Sequence, residues 1–534
     1  MRAIRGYLLV AAALLLCGAL APAAWAGQGR AVVDPSVISE LEAVGRGGSV
    51  PVIVYADSPL DDVIATLSKA TQITRLDLIG AVAASVTAEE LDALARRPDV
   101  SAIVADVPLF GTGAVETMDV TNLAIGLGAL APPSTGGLSG KGVTVAVLDS
   151  GSEEHVDLMN ADDSSRVVAW LDFVKGKKRP YDDGGHGTFV NGLIAGDGDA
   201  SLPLDQGGRA TQQFRGVAPG ADIVSLKVLD RFGQGRASTL VAAIAWAIGH
   251  RDQYDIRVLN ISVEGPVTGP VATDPMALAV EAAWKAGLVV VCAAGNEGDF
   301  GPGGVLSPGN DPYVITVGAF DTRQTADRGD DVMAHYSSVG PTMFDEFAKP
   351  DLVAPGNRLV SLRAQSSYID RSFPQNRVAV DSYVPDARPG EHEQYFVMSG
   401  TSASAPVIAG TVALMLEQDP SLTPGDVKLR LMQTADPFAD VPAGAQGAGL
   451  VDVPGALASV AHSDGYALSA DLGDGHTLLP PDVELQWQKY AWSKYAWSKY
   501  AWSKYAWSKY AWSKYAWSKY AWSKYAWSVV IDGQ

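Results

Sequence analysis

Short apolar runs alternate with longer helical stretches and glycine-rich turns between residues 138 and 458. Five of these runs are rich in Val and Ile and largely continuous rather than alternating: 143–148, 223–228, 258–263, 288–293 and 313–317. Such runs are typical of parallel strands buried on both faces, because helices cover the two sides of such a sheet. The pattern therefore predicts an α/β fold, a three-layer sandwich with a mainly parallel central sheet flanked by helices.

A smaller unit with its own pattern precedes this region, over residues 50–107. Its apolar positions predict three strands, at residues 50–55, 81–86 and 100–104. A helix is predicted between the first two strands, at residues 60–70. A second helix has a clear start signal, because Thr87 is a good cap and Glu90 stands at the third helical position, as in a capping box. We expect a small α+β unit here.

The N-terminus has the pattern of a secretory signal. Arg2 and Arg5 precede an apolar stretch over residues 7–20, which is followed by the small-residue site Ala24-Trp25-Ala26. We expect residues 1–26 to be a signal peptide that is removed on export. A lipid anchor on Cys17 is disfavoured, because Leu16 is larger than the residue that such processing usually requires.

Removal of the signal leaves Cys292 as the only thiol, so the sequence predicts no intramolecular disulfide. This cysteine lies in an apolar run over residues 287–294, and we expect a buried, inert thiol. No later apolar run approaches the ~20 residues that a membrane-spanning helix needs.

Composition limits the classes of function. A chain of 534 residues with 47% hydrophobic and 19% charged residues has room for two or three domains. Its formal net charge of −20 argues against a nucleic acid as the partner.

The C-terminal extension is of low complexity, because Lys-Tyr-Ala-Trp-Ser is repeated eight times over residues 489–528. A period of five matches neither the 3.6 of a helix nor the 2 of a strand. Two interpretations stay open. The repeat is an expanded segment without a function of its own, or its rings and ammonium groups mediate contact with the cell envelope or self-association.

Three glycine-flanked segments carry residues suited to nucleophilic catalysis, in the order Asp149, His186, Ser402. Asp149 follows an apolar strand, at the sheet edge where α/β folds bind ligands. His186 opens a helical stretch, where neighbouring glycines allow a proton shuttle to approach other groups. Each segment alone resembles an ordinary turn.

The segment around Ser402 is the most specific. Small residues surround it in Met398-Ser399-Gly400-Thr401-Ser402-Ala403-Ser404-Ala405-Pro406, directly before an apolar helix. A helix N-terminus offers N–H groups and a positive dipole to a developing oxyanion. The Gly-x-Ser-x-Gly elbow of α/β-hydrolases does not fit, because position 404 is Ser.

Together these blocks resemble those of the subtilases, the subtilisin-like serine peptidases, over residues 138–458. The resemblance implies a serine endopeptidase in which Ser402 is the nucleophile, His186 the general base and Asp149 the group that orients the ring. It also implies that Asn296, in Ala293-Ala294-Gly295-Asn296, stabilises the oxyanion.

The same resemblance implies an extended substrate that pairs its backbone with two segments of the chain. The substrate-binding residues that it implies are Gly233, Gln234, Gly235, Ser262, Val263, Glu264, Ala293 and Gly295. Glu264 stands where the family usually has glycine. Its carboxylate narrows the first specificity pocket, selects a basic side chain, or faces solvent.

The leading unit resembles the inhibitory prodomain of subtilases in Ala83-Ala84-Ser85-Val86-Thr87-Ala88-Glu89-Glu90-Leu91 and in Pro98-Asp99-Val100. We therefore expect four parts: a signal peptide, a prodomain, a peptidase domain and an extension, at 1–26, 27–115, 116–465 and 466–534. The prodomain is expected to inhibit the enzyme until self-cleavage between Asp106 and Thr117.

Protein or peptide substrates and the chain's own prodomain are the partners that this reading implies. The chemistry requires no cofactor. Structural calcium is allowed by family likeness alone, because Asp157, Asp182 and Asp183 are scattered acids without metal-ligand spacing. The competing hypothesis is a catalytically weak protein for envelope binding or assembly that retains a peptidase scaffold.

Overall fold

The structure is a computed structural model that describes residues 31–45, 47–67, 70–111, 121–127, 137–325, 327–470 and 472. The predicted signal peptide, Cys17 and the Lys-Tyr-Ala-Trp-Ser repeats lie outside the described residues. The chain divides into two compact units, with the boundary between Asp106 and Val107. The four predicted parts of the chain remain predictions.

The first unit contains one five-stranded sheet and three helices. Its strands are β1 (Val32–Val33), β2 (Ser49–Ala56), β3 (Thr71–Leu76), β4 (Ala81–Thr87) and β5 (Val100–Ala105), in the order β1-β5-β2-β4-β3. Its helices are α1 (Pro35–Val44), α2 (Leu60–Ile64) and α3 (Ala88–Ala95). The start of α3 is as predicted, because Thr87 and Glu90 form a capping box.

The prediction of a helix over residues 60–70 is wrong in its extent. Helix α2 ends at Ile64, and the strand β3 begins at Thr71. The sequence of β3 has no apolar run to mark a strand, and backbone pairing with β4 makes it one. Pairing with a neighbouring strand therefore determines the structure of these residues, whatever their own hydrophobic pattern.

The second unit has thirteen strands and ten helices among its described residues. The strands are β6 (Pro108–Gly111), β7 (Thr144–Asp149), β8 (Val167–Asp172), β9 (Asp222–Lys227), β10 (Gln234–Arg236), β11 (Ile256–Ile261), β12 (Val263–Glu264), β13 (Val289–Ala293), β14 (Ile315–Asp321), β15 (Val332–Met333), β16 (Leu352–Pro355), β17 (Leu359–Leu362) and β18 (Tyr395–Met398). The helices are α4 (Thr121–Ala124), α5 (His186–Ala195), α6 (Ala237–Gly249), α7 (Arg251–Tyr254), α8 (Pro275–Lys285), α9 (Tyr368–Ser372), α10 (Thr401–Gln418), α11 (Pro424–Thr434), α12 (Ala443–Gln446) and α13 (Val453–Ala458).

The central sheet has eight strands in the order β15-β14-β13-β11-β7-β9-β8, with β16 also paired to β14. All neighbours are parallel except β14 and β15. Every residue of β7 and of β13 is buried, as expected for strands covered on both faces. The predicted mainly parallel sheet is confirmed, and each of the five predicted strands is present within a few residues.

Two groups of helices cover the sheet. Helices α5 and α10 contact each other and the sheet, and α6 and α8 form a second pair that also contacts it. Helix α10 is buried from Thr401 to Leu416, because its Ala, Gly, Ser and Val side chains allow close packing on every side. The predicted three-layer α/β sandwich is confirmed.

A fully buried charge cluster joins distant parts of the second unit. Asp351 accepts hydrogen bonds from Lys349 at 2.7 Å and from Ser469 at 2.6 Å, and Lys428 Nζ lies 3.2 Å from its carboxylate. Lys428 also donates to the carbonyl oxygens of Pro312 at 2.8 Å and Val314 at 2.9 Å. Burial acts to raise the pKa of Asp351, but the ammonium groups of Lys349 and Lys428 hold this pKa below its usual value.

Cys292 lies on β13 and has no exposed surface. Burial raises the pKa of its thiol, so the reactive thiolate is disfavoured. The predicted buried cysteine is confirmed. Among the described residues, no helix is both long and apolar enough to cross a membrane.

The charge cluster gives a stability prediction. Asp351→Asn should destabilise the fold by about 3–5 kcal/mol, because it leaves two buried ammonium groups without their anion. Thermal or urea unfolding in an inactive Ser402→Ala background measures the change. Asp252→Asn is the control, since its ion pair with Arg251 is exposed and should contribute about 0–1 kcal/mol. Equal effects of the two substitutions would contradict the prediction.

Candidate active site

Asp149, His186 and Ser402 meet in the second unit. The Nδ1 atom of His186 lies 2.8 Å from each oxygen of Asp149, and its Nε2 atom lies 3.0 Å from Ser402 Oγ. Each of the three residues is only 1% exposed. The imidazole thus connects a carboxylate to a hydroxyl within hydrogen-bonding distance on both sides.

Regular elements hold these side chains in place. Asp149 is the last residue of β7, His186 is the first of α5, and Ser402 is the second of α10. Gly400, which caps α10, has a φ of 148°, a value that residues with side chains rarely adopt. At Gly187 a side chain would collide with the carbonyl oxygen of Gly151, so glycine allows α5 to begin close to Asp149.

Asp182 fixes the turn before His186. Its Oδ1 accepts hydrogen bonds from Gly185 N at 2.7 Å and Ser150 Oγ at 2.8 Å, and its Oδ2 accepts two from Thr188, each at 2.8 Å. An acceptor at the start of a helix satisfies N–H groups that lack partners within the helix. The same carboxylate therefore ties the start of α5 to the residue after Asp149.

A buried lysine lies behind the carboxylate. Lys227 ends β9, pairs in register with Asp149 and has no exposed surface. Its ammonium donates to the carbonyl oxygen of Ser150 and to Asp183 Oδ1, the latter at 2.8 Å. Burial acts to raise the pKa of Asp183, but hydrogen bonds from Lys227 and Lys175 hold it below its usual value. The charged network supports the backbone around Asp149.

A second carboxyl near the start of α5 is half-buried. The backbone N–H of Glu153 donates to Thr188 Oγ1 at 2.9 Å. Burial, together with the charges of Asp182 and Asp370, raises the pKa of the Glu153 carboxyl to about 7. This group therefore changes charge near neutral pH.

Asn296 has its carboxamide oriented by the residue before Ser402. Its Oδ1 accepts hydrogen bonds from Thr401 N at 2.9 Å and Thr401 Oγ1 at 3.1 Å. Thr401 Oγ1 in turn accepts from Gly295 N at 3.1 Å. Because the oxygen is engaged, the amide nitrogen is the end of Asn296 that can donate to another group.

The chain's own strand β6 runs between the two segments implied to bind substrate. It pairs antiparallel with β10, where Gln234 lies opposite Phe110 and Gly235 opposite Leu109. On its other side it pairs antiparallel with β12, with Val263 opposite Gly111. Gly233 lies in the turn before β10. The segments therefore hold an extended peptide as the centre of a three-stranded sheet.

Ser262 places this sheet beside the hydroxyl. Its Oγ donates to the carbonyl oxygen of Ser402 at 2.9 Å and accepts from Asn260 Nδ2 at 2.9 Å. Ser262, which contacts Ser402, directly precedes β12, so the N-terminal end of β12 is the end nearer to Ser402. Because β6 is antiparallel to β12, the C-terminal end of β6, at Gly111, is the end nearer to Ser402.

Glu264 is buried, with 6% of its surface exposed. The hypothesis that its carboxylate faces solvent is therefore wrong, because the side chain turns toward the loop after β13 rather than outward. A Cβ atom built on Gly295 would lie 3.1 Å from Glu264 Oε2. Ala293 ends β13 and is also buried, so these residues border one side of the cleft.

The three scattered acids that lack metal-ligand spacing in the sequence are hydrogen-bonded to other groups of the chain. Asp157 accepts from Tyr395 at 2.7 Å and from Ala200 N at 2.8 Å, and Asp182 and Asp183 have the partners given above. In the part of the chain that the structure describes, no group of three or more His, Cys, Asp or Glu could hold a metal ion. None of the three carboxylates therefore belongs to a cluster of acidic ligands among the described residues.

The comparisons with known proteins agree with this geometry. The model of the subtilase family matches residues 140–461, which is more than half of the chain. The chain belongs to the subtilase family, whose members are serine endopeptidases.

Individual relatives are similar over most of that region. Serine protease AprX of Bacillus subtilis is 39% identical over 327 residues, which are 60% of this chain and 67% of AprX. Subtilisin DY of Bacillus licheniformis is 32% identical over 306 residues, which are 57% of this chain and 87% of that protein.

A solved structure shows the same fold. Fervidolysin from Fervidobacterium pennivorans, a keratinolytic enzyme related to subtilisin, matches with a TM-score of 0.59 and 21% identity, covering 80% of this chain and 63% of that chain. At this identity the likeness concerns the fold alone.

Sequence reasoning missed three features of the site. Asp182 stood only among scattered acids, because it lies three residues before the N-cap Gly185 and therefore occupies no standard capping position. Lys227 gave no signal, because it lies within an apolar run. The pairing of β6 was also missed, since the sequence showed only that these residues lie within the expected cleavage interval.

The network around Asp182 can be tested. Asp182→Asn should lower kcat/KM for a peptide substrate by about 10- to 100-fold, because an amide nitrogen facing Thr188 or Gly185 would displace the imidazole. Activity is measured per active site, titrated with a serine-directed phosphonate. The exposed Asp162→Asn is the control and should leave kcat/KM unchanged. Unchanged activity of Asp182→Asn would rule out a positioning role.

Proposed function

We propose that the protein is a secreted serine endopeptidase, made as a self-processing zymogen, that hydrolyses protein substrates through an acyl-enzyme on Ser402. One observation carries this proposal. The His186 imidazole lies 2.8 Å from the Asp149 carboxylate and 3.0 Å from the Ser402 hydroxyl.

The first chemical step follows from these distances. Neutral His186 accepts the Ser402 proton at Nε2 while Oγ attacks the substrate carbonyl carbon. Asp149 accepts from Nδ1–H, which fixes the tautomer and stabilises the imidazolium. His186 then gives the proton to the leaving amine, and water hydrolyses the acyl-enzyme by the same route.

The carbonyl oxygen becomes negatively charged in this step. Asn296 Nδ2 and the backbone N–H of Ser402 are the proposed donors, since Thr401 engages the other end of the Asn296 amide. Loss of one such side-chain donor typically costs about 2.7–4 kcal/mol of transition-state stabilisation. All steps use side chains and backbone groups of the chain itself, and we assign no calcium ion.

Substrate recognition is proposed to be strand addition between β10 and β12. The residues involved are those implied by the family resemblance: Gly233, Gln234, Gly235, Ser262, Val263, Glu264, Ala293 and Gly295. The pairing of β6 with both segments supports this, because it has the backbone geometry that an extended substrate needs.

The same pairing supports latency. Residues 108–111 fill the cleft that a substrate requires, and the side chain of Leu109 is fully buried there. We propose that the preceding unit acts as the inhibitory prodomain. Cleavage is expected just after Gly111, within the interval from Asp106 to Thr117, because β6 runs toward Ser402. Residues 112–117 of that interval lie outside the described part.

Secretion is supported by the signal-like pattern of residues 1–26. The repeat extension is proposed to lie outside the chemistry, with envelope contact as one of its two open roles. N-terminal sequencing and the intact mass of the product in the culture medium test secretion and the cleavage point together.

The catalytic proposal predicts selective labelling of Ser402. A serine-directed phosphonate should react with the processed protein in a ratio of one to one, and Ser402→Ala should abolish labelling, peptide hydrolysis and self-processing. Ser399→Ala is the matched control and should still be labelled. Absence of labelling on the processed protein would favour the weakly catalytic scaffold instead.

The latency proposal predicts inhibition by the cleft segment. A synthetic peptide of residues 104–112 should inhibit hydrolysis competitively, and Leu109→Ala in the peptide should raise its Ki by about 10- to 100-fold. The reason is the loss of about 1.5–3 kcal/mol of side-chain burial. Val104→Ala, outside β6, should leave Ki nearly unchanged. Equal inhibition by all three peptides would contradict the proposal.

A further inference from the structure

A buried carboxylate lies on the wall of the cleft. Glu264 is the last residue of β12 and is 6% exposed, and its Oε2 atom is shielded from solvent. This oxygen approaches Gly295, since a Cβ atom there would lie 3.1 Å from it. The side chain therefore reaches from β12 to the loop after β13, and both border the same side of the cleft.

This position is close to the proposed chemistry. Gly295 directly precedes Asn296, the proposed oxyanion donor. Two residues before Glu264, Ser262 donates to the carbonyl oxygen of Ser402 at 2.9 Å. The Glu264 carboxylate is thus close to Gly295, the neighbour of Asn296, and Glu264 itself is two residues along the chain from Ser262. Both Asn296 and Ser262 lie next to the position proposed for the scissile bond.

The same wall has an apolar part. The Cβ position on Gly295 is also 3.2 Å from Leu306 Cγ and 2.8 Å from Ser338 Oγ. Leu306 is half-buried, so its side chain also lines accessible space. An aliphatic wall beside a carboxylate matches a long side chain with methylene groups and a cationic end.

Electrostatics favours a cation at this place. A carboxylate on the wall of the cleft attracts a cationic side chain and repels an anionic one, and the low polarity of the aliphatic wall strengthens this attraction. A Lys or Arg side chain of the substrate can place its charged end beside Glu264 and its methylene groups against Leu306. We propose that Glu264 makes the enzyme select Lys or Arg as the residue whose carbonyl Ser402 attacks. This inference rests on the proposed function and names its substrate class.

The chain's own cleft segment lacks that side chain. The sequence contains no Lys or Arg between Arg97 and Lys141, an interval that includes β6 and the expected cleavage point. The segment therefore occupies the cleft through its backbone and Leu109 without the preferred residue. Such a segment is a slow substrate, which suits an internal inhibitor.

The C-terminal repeat supplies a direct probe. Each Lys-Tyr-Ala-Trp-Ser unit offers one basic, two aromatic and two small residues in the same peptide. Hydrolysis of a synthetic three-repeat peptide with blocked ends therefore reveals the preference from the cleavage position alone. Products are identified by mass spectrometry, with the full-length chain after self-processing as the enzyme.

We expect the unaltered enzyme to cleave after Lys. Glu264→Gln should reduce kcat/KM for that bond by about 10- to 100-fold, the range for losing a charged hydrogen-bond partner. Cleavage after Tyr or Trp should then become equal or faster. Glu281→Gln, which removes a carboxylate from the surface of α8, should cleave like the unaltered enzyme. Should Glu264→Gln not fold, Glu264→Gly is expected to give the same loss of selectivity.

The outcomes separate this inference from the proposed function. Cleavage after Tyr or Trp by an unaltered enzyme whose Ser402 is labelled by the phosphonate overturns the inference only. Cleavage after Ala or Ser alone also overturns it, since Glu264 would then merely narrow the pocket. Absence of both cleavage and labelling overturns the proposed function itself.

Discussion

The position of one imidazole ring is the constraint on which the site depends. His186 must lie within hydrogen-bonding distance of groups that are 37 and 216 positions away along the chain. No local structure can satisfy both distances, so the ring is held by the sheet through β7 and by α5 and α10, which pack against each other. Because Asp149, His186 and Ser402 are each 1% exposed, little water competes for their hydrogen bonds. The tight packing of α10 and the glycines at its start serve the same geometry.

The fold stabilises several buried charges around this ring rather than excluding them. Lys227 pairs in register with Asp149 and donates to Ser150 and Asp183, while Asp182 accepts hydrogen bonds from the start of α5. A buried charge is tolerated only where partners and hydrogen bonds offset its desolvation. Lys227 and Asp182 also form hydrogen bonds with the backbone of residues that adjoin Asp149 and His186, namely Ser150 and Gly185. Their stabilisation therefore fixes the site as well as the core.

The sequence predicted the layers, the five central strands and the residues that meet at the site, because each is marked locally. Continuous apolar runs indicate buried parallel strands, and glycines around Ser402 indicate a tight turn before a helix. The features that the sequence did not predict depend on contacts with segments that are distant along the chain. The strand β3 exists through pairing with β4, the buried Lys227 ammonium donates to Asp183, and the buried Glu264 carboxylate lies near Gly295 in the loop after β13. None of these partners is visible from local pattern.

The proposed substrate recognition and the proposed latency have a common origin in the edges of β10 and β12. Without β6 between them, these two strands would expose backbone N–H and C=O groups that can pair with any extended chain. That property is what a peptidase with varied substrates needs, since the backbone is common to all proteins. In the structure β6 occupies the space between these two strands by ordinary strand pairing, which is the basis of the proposed latency. Backbone pairing alone cannot distinguish inhibitor from substrate, so the distinction has to come from side chains such as Glu264 that border the cleft.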